Sequence, residues 1–405
     1  MAKTLMAVDA GTGSVRAVLF SLEGEQLGCV QQEWTHREDP RYPGSMDFDW
    51  VHNWDLARGC IRGVIEQTGV DPHDIAAVST TCMREGIVLY DKDGQEIWAC
   101  ANVDARSDDE VAQLVHMNPE LEKQIYRESG QTYALGALPR LFWVKNKMPE
   151  VYEKTAMCTM FNDWLIYKMT GVFSSEPSNA CTTGIFDLKA RDWDDQIAAS
   201  IGLKTGIFPK ISECGTVVAQ VGAKGAEETG LAEGTPVVAG GGDAQLGCVG
   251  VGVVDANQAA IFGGSFWQYE YNTDEAKTDE HCRVRVNCHS VPGIWQYEAL
   301  AFKPGMVMRW YRDAFCQYEK ELSKTTGRDP YDLMNEKAKD IPAGCYGMMC
   351  AFSDVMNYIS WRHASPMFIN FDFDPDKFNR YTFYRAIMEN TAMVTYGHMQ
   401  LVRES

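Results

Sequence analysis

The sequence predicts an α/β protein of two domains. A length of 405 residues is more than one hydrophobic core usually serves, since domains run to roughly 100–200 residues. Residues 4–33 read as an antiparallel meander, residues 54–67 as a helix and residues 75–81 as a strand, an order typical of α/β domains. A strand, a glycine turn and a second strand follow one another near residues 4–20 and again near 258–271, which indicates two similar domains facing a shared cleft.

We place the domains at residues 1–250 and 251–405. In the first domain, Asp49 or Asn53 can cap the predicted helix, and Gly69 can end it. Periodicity in the second domain predicts strands at 258–262, 266–271 and 283–289 and helices at 306–315 and 378–401.

Composition and charge limit the partners. The formal net charge is −19, and a surface that negative repels DNA, RNA and anionic lipid, so we expect no nucleic-acid or membrane partner. No apolar run approaches the roughly 20 residues that span a bilayer, and the N-terminus lacks the apolar core of a signal peptide. The thirteen cysteines form no Cys-x-x-Cys pair and mostly lie in apolar stretches, which predicts buried, reduced thiols in a cytoplasmic protein.

The stretch Gly240-Gly241-Gly242-Asp243-Ala244-Gln245 joins three glycines to one carboxylate at the end of a predicted strand. Glycine lets the backbone approach a bulky anion and point N–H groups at it. An aspartate beside such a turn can hold a metal ion or accept a proton. The combination predicts a phosphoryl-transfer site.

A second glycine turn, Asp9-Ala10-Gly11-Thr12-Gly13-Ser14, follows the first strand, with Arg16 two residues further. For this segment alone, an ordinary hairpin with glycine in its turn is a strong alternative. The aspartate at the end of an apolar strand is what favours phosphate and metal binding. A third turn, Gly263-Gly264-Ser265, joins two strands of the predicted second domain.

Arg84 and Glu85 follow the predicted strand at 75–81. A guanidinium that donates and a carboxylate that accepts hydrogen bonds suit the recognition of polyol oxygens. The alternative is a surface ion pair, which contributes little to stability.

Direct phosphoryl transfer needs a phosphate cradle, Mg²⁺, a base near the acceptor hydroxyl and protection from water. We expect the turns Gly11–Ser14 and Gly263–Ser265 to hold the two sides of a triphosphate, with Arg16 reaching the transferred group. Asp243 is assigned as the base and Asp9 as the residue that organises hydrated Mg²⁺, with Asp243 also near the metal. Spacing alone leaves the order of these two roles open.

Other catalytic motifs are missing from the sequence. It contains no Gly-x-x-x-x-Gly-Lys-Ser/Thr, no Gly-x-Ser-x-Gly, and no Gly-x-Gly-x-x-Gly followed by an acidic residue. Walker-type ATP hydrolysis, serine hydrolysis and nicotinamide binding therefore have little support.

In this order, the motifs resemble those of the FGGY carbohydrate kinases, a family of the actin, hexokinase and Hsp70 superfamily. Asp9–Arg16 is similar to the family's first phosphate motif, Gly240–Gln245 to the motif with its catalytic aspartate, and Gly263–Ser265 to its second phosphate motif. Arg84-Glu85 matches a substrate-contacting pair, which Asp243 and Gln245 are expected to join. The resemblance covers essentially the whole chain. It implies a two-domain, ribonuclease H-like ATPase fold with ATP and Mg²⁺ as cofactors, and it leaves a homodimer open.

Within the family, the stretches 45–49, 83–90, 97–106 and 308–316 are most similar to members that act on a quorum-sensing signal. This resemblance implies ATP-dependent phosphorylation of the primary hydroxyl of linear dihydroxypentanedione, known as autoinducer-2. The alternatives are another sugar or polyol, such as xylulose or glycerol, or a non-catalytic actin-like protein. Arg140 stands where family members often carry lysine. Family members continue with a glycine-rich adenosine motif, so we expect the second domain to be truncated before it.

Overall fold

The computed structural model describes residues 3–134, 136–264, 266–301, 303–352 and 367–405. They form two compact units, which are described separately. Unit 1 comprises the residues up to 256 together with 273–278 and 286–296, and unit 2 comprises 257–272, 279–285 and 297–405.

Unit 1 begins with the predicted meander, helix and strand, which are confirmed. In chain order, its strands and helices up to residue 250 are β1 (Thr4–Ala10), β2 (Ser14–Ser21), β3 (Gln26–Glu33), α1 (Trp50–Thr68), β4 (Ile75–Cys82), β5 (Ile87–Tyr90), β6 (Glu96–Cys100), α2 (Asp108–Met117), α3 (Leu121–Ser129), α4 (Ala137–Lys147), α5 (Pro149–Lys154), β7 (Met157–Thr159), α6 (Phe161–Thr170), α7 (Pro177–Ala180), β8 (Phe186–Asp187), β9 (Asp192–Trp193), α8 (Asp195–Ser200), β10 (Val217–Gln220), α9 (Ala223–Thr229), β11 (Pro236–Gly242) and α10 (Asp243–Gly250).

Six of these strands form one mixed sheet in the order β10-β11-β4-β1-β2-β3. Strand β1 runs antiparallel to β2 and parallel to β4, and β4 runs parallel to β11. The pairing aligns Asp9 on β1 with Thr81 on β4, and Thr81 with Gly241 on β11. Because parallel strands end at the same edge of a sheet, the segments that follow β1, β4 and β11 emerge side by side.

Helix α1 packs on this sheet, and its ends follow the predicted capping residues. The Asp49 side chain accepts a hydrogen bond from the His52 N–H, and Gly69 ends the helix in the left-handed conformation at φ 65°. Its buried residues, which include Trp54 and Ile61, join the core formed by the inward side chains of β1, β2 and β4. Burying a side chain of this size stabilises the fold by roughly 1.5–3 kcal/mol.

A second core in unit 1 lies around the three-stranded sheet β6-β5-β7. Helix α4 supplies several of its largest buried side chains, among them Leu141, Phe142 and Trp143. Arg140 on the same helix is also fully buried, which requires polar partners inside this core.

The chain after residue 256 contains a four-stranded sheet, in the order β12-β13-β15-β14, and a group of helices. Its elements are β12 (Ala259–Gly263), β13 (Trp267–Thr273), β14 (Arg285–Cys288), β15 (Trp295–Ala301), α11 (Pro304–Phe315), α12 (Gln317–Thr326), α13 (Pro330–Ala338), β16 (Met349–Ala351), β17 (Met367–Ile369) and α14 (Arg380–Glu404). The predicted strands and helices of this part are confirmed. Tyr311, Met334 and Ile387 are central to the core of unit 2.

Two further features concern the chain as a whole. All thirteen cysteines are free thiols, and all except Cys29 and Cys214 are buried. Within the described ranges, no helix combines the length and apolar character needed to cross a bilayer.

Candidate active site

Asp243 begins helix α10 directly after β11, at the shared edge of the parallel strands. Its pKa is raised from 3.8 to about 6, because desolvation outweighs the attraction of Arg84, and the charges of Glu85 and Asp9 raise it further. The Arg84 Nε lies 3.6 Å from Asp243 Oδ1, and 52% of the aspartate side chain is exposed. Asp243 is therefore a carboxylate that a ligand can reach and that can accept a proton near neutral pH.

The three glycines before Asp243 are required by close packing. A Cβ on Gly240 would lie 1.5 Å from the carbonyl oxygen of Thr80 on β4. On Gly241 a Cβ would lie 2.7 Å from a buried serine hydroxyl, and on Gly242 it would lie 2.6 Å from a buried amide oxygen. The sequence suggested that these glycines admit a bulky anion, and the structure adds a packing reason, since Gly240 lies against the backbone of β4 and Gly241 and Gly242 lie against buried side chains.

Arg84 and Glu85 lie in the loop after β4 and are each only 5% exposed, so the alternative of a surface ion pair is wrong. The Arg84 stem packs across the backbone of Gly242, where a Cβ would lie 3.0 Å from Arg84 Cδ. Glu85 has a left-handed backbone at φ 65°, which costs a non-glycine residue roughly 1–2 kcal/mol. The two side chains are therefore held in one arrangement beside Asp243.

Arg140 holds this loop in place from inside the second core. Its guanidinium donates a hydrogen bond to the carbonyl of Glu85, and it donates to the carbonyls of Asn102 at 2.6 Å and Asp104 at 2.9 Å. One planar cation thus joins the loop after β4 to the loop after β6. A lysine would offer a compact point charge in place of this fork. The sequence revealed the replacement of lysine by Arg140, but nothing local indicated which carbonyls it binds.

The glycine turn after β1 has its carbonyls bound from one side. The indole Nε1 of Trp34 donates to the carbonyls of Gly11 at 3.0 Å and Thr12 at 3.2 Å. The backbone N–H of Trp34 donates to the Gly13 carbonyl at 3.2 Å. His36 Nε2 lies 2.7 Å from the Thr12 carbonyl, so this nitrogen carries the proton. Among the described groups, none accepts a hydrogen bond from the N–H of Gly11, Thr12 or Gly13. The turn therefore offers backbone donors to a ligand.

Asp9 pairs with Arg16 on the neighbouring strand. The Nε and one terminal nitrogen of Arg16 each lie 2.8 Å from Asp9 Oδ2. Burial raises the pKa of Asp9, and the positive charge of Arg16 opposes this effect. Since both contacts fall on Oδ2, Oδ1 keeps its capacity for another ligand. The predicted roles of Asp9 in metal binding and of Arg16 in phosphate binding stay predictions.

The other predicted residues have different surroundings. The Gln245 side chain is fully buried, and its Nε2 donates to Gln296 Oε1 at 2.9 Å. Its Oε1 has no hydrogen-bond partner in the part of the chain that the structure describes. Gly263 and Gly264 belong to unit 2, and Ser265 lies outside the described residues. Their predicted roles in substrate and phosphate binding stay predictions.

At one edge of its sheet, unit 1 brings together groups of the kinds that phosphoryl transfer to an alcohol requires. A base must take the hydroxyl proton, polar side chains must orient the acceptor, and backbone N–H groups must meet the phosphates. The fold and the site together define the class of two-domain sugar kinases.

Comparison with known proteins identifies the family. The model of the N-terminal domain of the FGGY family of carbohydrate kinases matches residues 4–250. The chain is 46% identical over 399 residues to a protein of Salmonella paratyphi B named autoinducer-2 kinase, covering 98% of this chain and 75% of that protein. It is 47% identical over 401 residues to the protein of the same name from Escherichia coli K12, covering 99% of this chain and 76% of that protein. The chain belongs to the FGGY family of carbohydrate kinases, as the motifs predicted.

A solved structure agrees on the fold. The xylulose kinase of Rhodospirillum rubrum superposes with a TM-score of 0.84 at 22% identity, covering 99% of this chain and 79% of that one. This likeness confirms the predicted α/β fold of a two-domain sugar kinase.

Proposed function

We propose that the chain is an ATP-dependent kinase that phosphorylates the primary hydroxyl of autoinducer-2, linear dihydroxypentanedione. The relatives at 46% and 47% identity carry the name of that activity. The observation that carries the chemistry is Asp243, an accessible carboxylate with a pKa of about 6 beside the buried Arg84 and Glu85.

In the proposed reaction, Arg84 donates and Glu85 accepts hydrogen bonds to acceptor oxygens, which orients the primary hydroxyl. Asp243 takes the hydroxyl proton as the hydroxyl oxygen forms its bond to the γ-phosphorus of ATP. The bond from that phosphorus to the bridging oxygen breaks, and ADP leaves with the bridging oxygen. A small multiply oxygenated acceptor fits two buried polar side chains better than an apolar ligand does, because its oxygens can exchange hydrogen bonds with them.

We assign the ATP phosphates to two turns. The turn of Gly11, Thr12, Gly13 and Ser14 is supported by its N–H groups, and the turn of Gly263, Gly264 and Ser265 is assigned by the resemblance of its motif. Both assignments predict that binding of ATP lowers the hydrogen exchange of these amides.

The carboxylates of Asp9 and Asp243 fit Mg²⁺, which binds proteins through one or two carboxylates in addition to substrate phosphates. Within the described residues, no cluster of three or more histidine, cysteine or acidic side chains could bind a metal by itself. This donor set therefore suits a metal that arrives with the nucleotide, where it supplies neutralisation of phosphate charge. We place the activity in the cytoplasm, a compartment that suits thirteen free thiols.

Phosphorylation of dihydroxypentanedione by this chain, with radiolabelled ATP and Mg²⁺, tests the proposal. Xylulose and glycerol serve as competing acceptors in parallel reactions. We expect kcat/KM for dihydroxypentanedione to exceed the others by about tenfold or more, since polar groups matched to one acceptor discriminate strongly. Turnover confined to xylulose or glycerol would refute the proposed acceptor, and a lack of turnover with every acceptor would refute the activity.

Asp243→Asn tests the base with almost no change of shape. We expect kcat to fall by about 10²–10⁴-fold, the usual contribution of a general base, while calorimetry finds acceptor binding retained. Wild-type turnover by this variant would refute the role of Asp243.

A further inference from the structure

The small and polar residues of segment 177–184 are typical of a loop, but in the structure they form a buried helical segment. Helix α7 is followed by a 3₁₀ turn at Cys181–Thr183, and the residues of both are buried. The reason is Glu176, whose buried carboxylate accepts hydrogen bonds from the N–H groups of Ser178 at 2.6 Å and Asn179 at 2.9 Å. This capping satisfies donors that would otherwise require water.

The Ser178 hydroxyl lies between this carboxylate and the peptide before Asp243. It donates to Glu176 Oε2 at 2.6 Å and accepts a hydrogen bond from the Gly242 N–H at 3.0 Å. A serine hydroxyl has one proton, so donation to Glu176 fixes its rotation and leaves its lone pairs for Gly242. Gly242 is the N-cap residue of α10, and Asp243 is the first residue of that helix.

Neighbouring groups enclose the hydroxyl. A Cβ on Gly241 would lie 3.0 Å from Ser178 Oγ and 2.7 Å from Ser290 Oγ. The Ser290 hydroxyl contacts Ser178 Oγ at 3.4 Å, and Cys214 Sγ donates to Glu176 Oε2 at 3.2 Å. Ser178 and Glu176 are both fully buried, so neither contacts the substrate. Ser178 is joined to the site through the backbone of β11.

We propose that Ser178, oriented by Glu176, is a positioning residue for Asp243. The hydrogen bond from the Gly242 N–H to Ser178 fixes the backbone at Asp243, and thereby the position of the Asp243 side chain relative to Arg84 and the acceptor. This inference rests on the proposed function, in which Asp243 is the base. A displacement of about 1 Å in a catalytic group can cost about 10²-fold in rate, so one hydrogen bond at this position can matter to turnover.

Ser178→Ala, compared with Thr182→Val, tests the proposal. Thr182 is a matched control because it is buried in the same segment, and its hydroxyl donates to the Asn179 carbonyl at 2.7 Å. We expect both variants to lower Tm similarly, while Ser178→Ala alone lowers kcat by about 10–10²-fold with both KM values unchanged within about twofold. Ser178→Thr keeps the hydroxyl and should recover most of kcat. An equal loss of kcat in Thr182→Val would overturn the positioning role.

Glu176→Gln tests whether the carboxylate acts through Ser178. The amide provides one acceptor oxygen in place of two, so we expect kcat to fall while KM is unchanged. Two residues that act through one bond give non-additive effects, so Ser178→Ala combined with Glu176→Gln should lose no more kcat than the worse single variant. Full additivity of the two losses would show that Glu176 does not act through Ser178.

Hydrogen exchange of the Gly242 amide provides a measurement that does not depend on turnover. It should be faster in Ser178→Ala and unchanged in Thr182→Val, because only the first removes its acceptor. If Asp243→Asn keeps wild-type turnover, the proposed function fails. If Asp243→Asn is inactive while Ser178→Ala keeps wild-type kcat and wild-type protection of Gly242, only the positioning role fails.

Discussion

The pH dependence of turnover follows directly from the surroundings of Asp243. In the proposed reaction only its ionised form accepts the hydroxyl proton, and its pKa is about 6 where an ordinary aspartate has 3.8. We therefore expect kcat/KM to be level above about pH 6 and to fall about tenfold for each pH unit below it. With an unperturbed aspartate, this acid limb would lie about two pH units lower.

Arg84→Met should move the acid limb, since the arginine lowers the pKa of Asp243. Opposite charges about 4 Å apart attract by roughly 1 kcal/mol in water and roughly 4 kcal/mol at an effective dielectric constant of 20. The Arg84 Nε lies 3.6 Å from Asp243 Oδ1, but half of the aspartate side chain is exposed, so the smaller value applies. Since one pKa unit is about 1.4 kcal/mol, the limb should move from about pH 6 to about pH 7.

The assay is the initial rate of ADP release from about pH 5 to about pH 8.5 at constant ionic strength. Because Arg84 also binds the acceptor in the proposed site, its substitution lowers the rate at every pH. The pH of the acid limb is therefore the quantity to compare between variants. Arg84→Lys is the matched control, because it keeps the charge and should leave the limb near its original pH while raising KM. A wild-type limb below about pH 5, or a limb that Arg84→Met does not move, would show that Asp243 does not govern turnover.

Three other outcomes are expected. The folded-state pKa of Asp243 lies above its unfolded value, so its ionised form opposes folding above about pH 6. Asp243→Asn should therefore raise Tm by about 1–2 °C near pH 7 and leave Tm unchanged near pH 4, as measured by calorimetry. Gly240→Ala should destabilise unit 1 by more than about 4 kcal/mol in denaturant unfolding, whereas Gly250→Ala, whose Cβ meets nothing within 4 Å, should change stability by no more than about 1 kcal/mol. Arg140→Lys should raise the acceptor KM more than the ATP KM in steady-state assays, because it loosens the loop of Glu85.

The parts of the fold that the sequence predicted depend on local chemistry. Alternation identifies the meander, the Asp49 side chain caps a helix that begins one residue later, and Gly69 ends it with a positive φ. The order of the glycine turns along the chain was sufficient to identify the family, since each motif is recognisable within eight residues or fewer.

The supports of the site could not be predicted in this way. Trp34 and His36 bind the glycine turn from the end of a different strand, and Arg140 binds carbonyls 36 to 55 residues away in the chain. No local pattern records such pairings, because they depend on how sheets and helices pack. The segment after Glu176 is a further example, since small polar residues usually mark exposed loops and here satisfy one another inside the protein.

Two unfavourable features, the left-handed backbone of Glu85 and the raised pKa of Asp243, occur in unit 1 near buried hydrogen bonds. Glu85 has a left-handed backbone that Arg140 holds, and the peptide before Asp243 is held by Ser178. Burial raises the pKa of Asp243, which opposes folding where the carboxylate is ionised. Such features persist in a fold only when their surroundings over-determine them, and they commonly lie where a protein performs chemistry. The glycines at 240–242 let β11 lie close to β4 and to Ser178, so that the Gly242 N–H reaches the Ser178 hydroxyl. Close packing is therefore a sufficient reason for glycine before Asp243, and the predicted part of this stretch in binding phosphate stays a prediction.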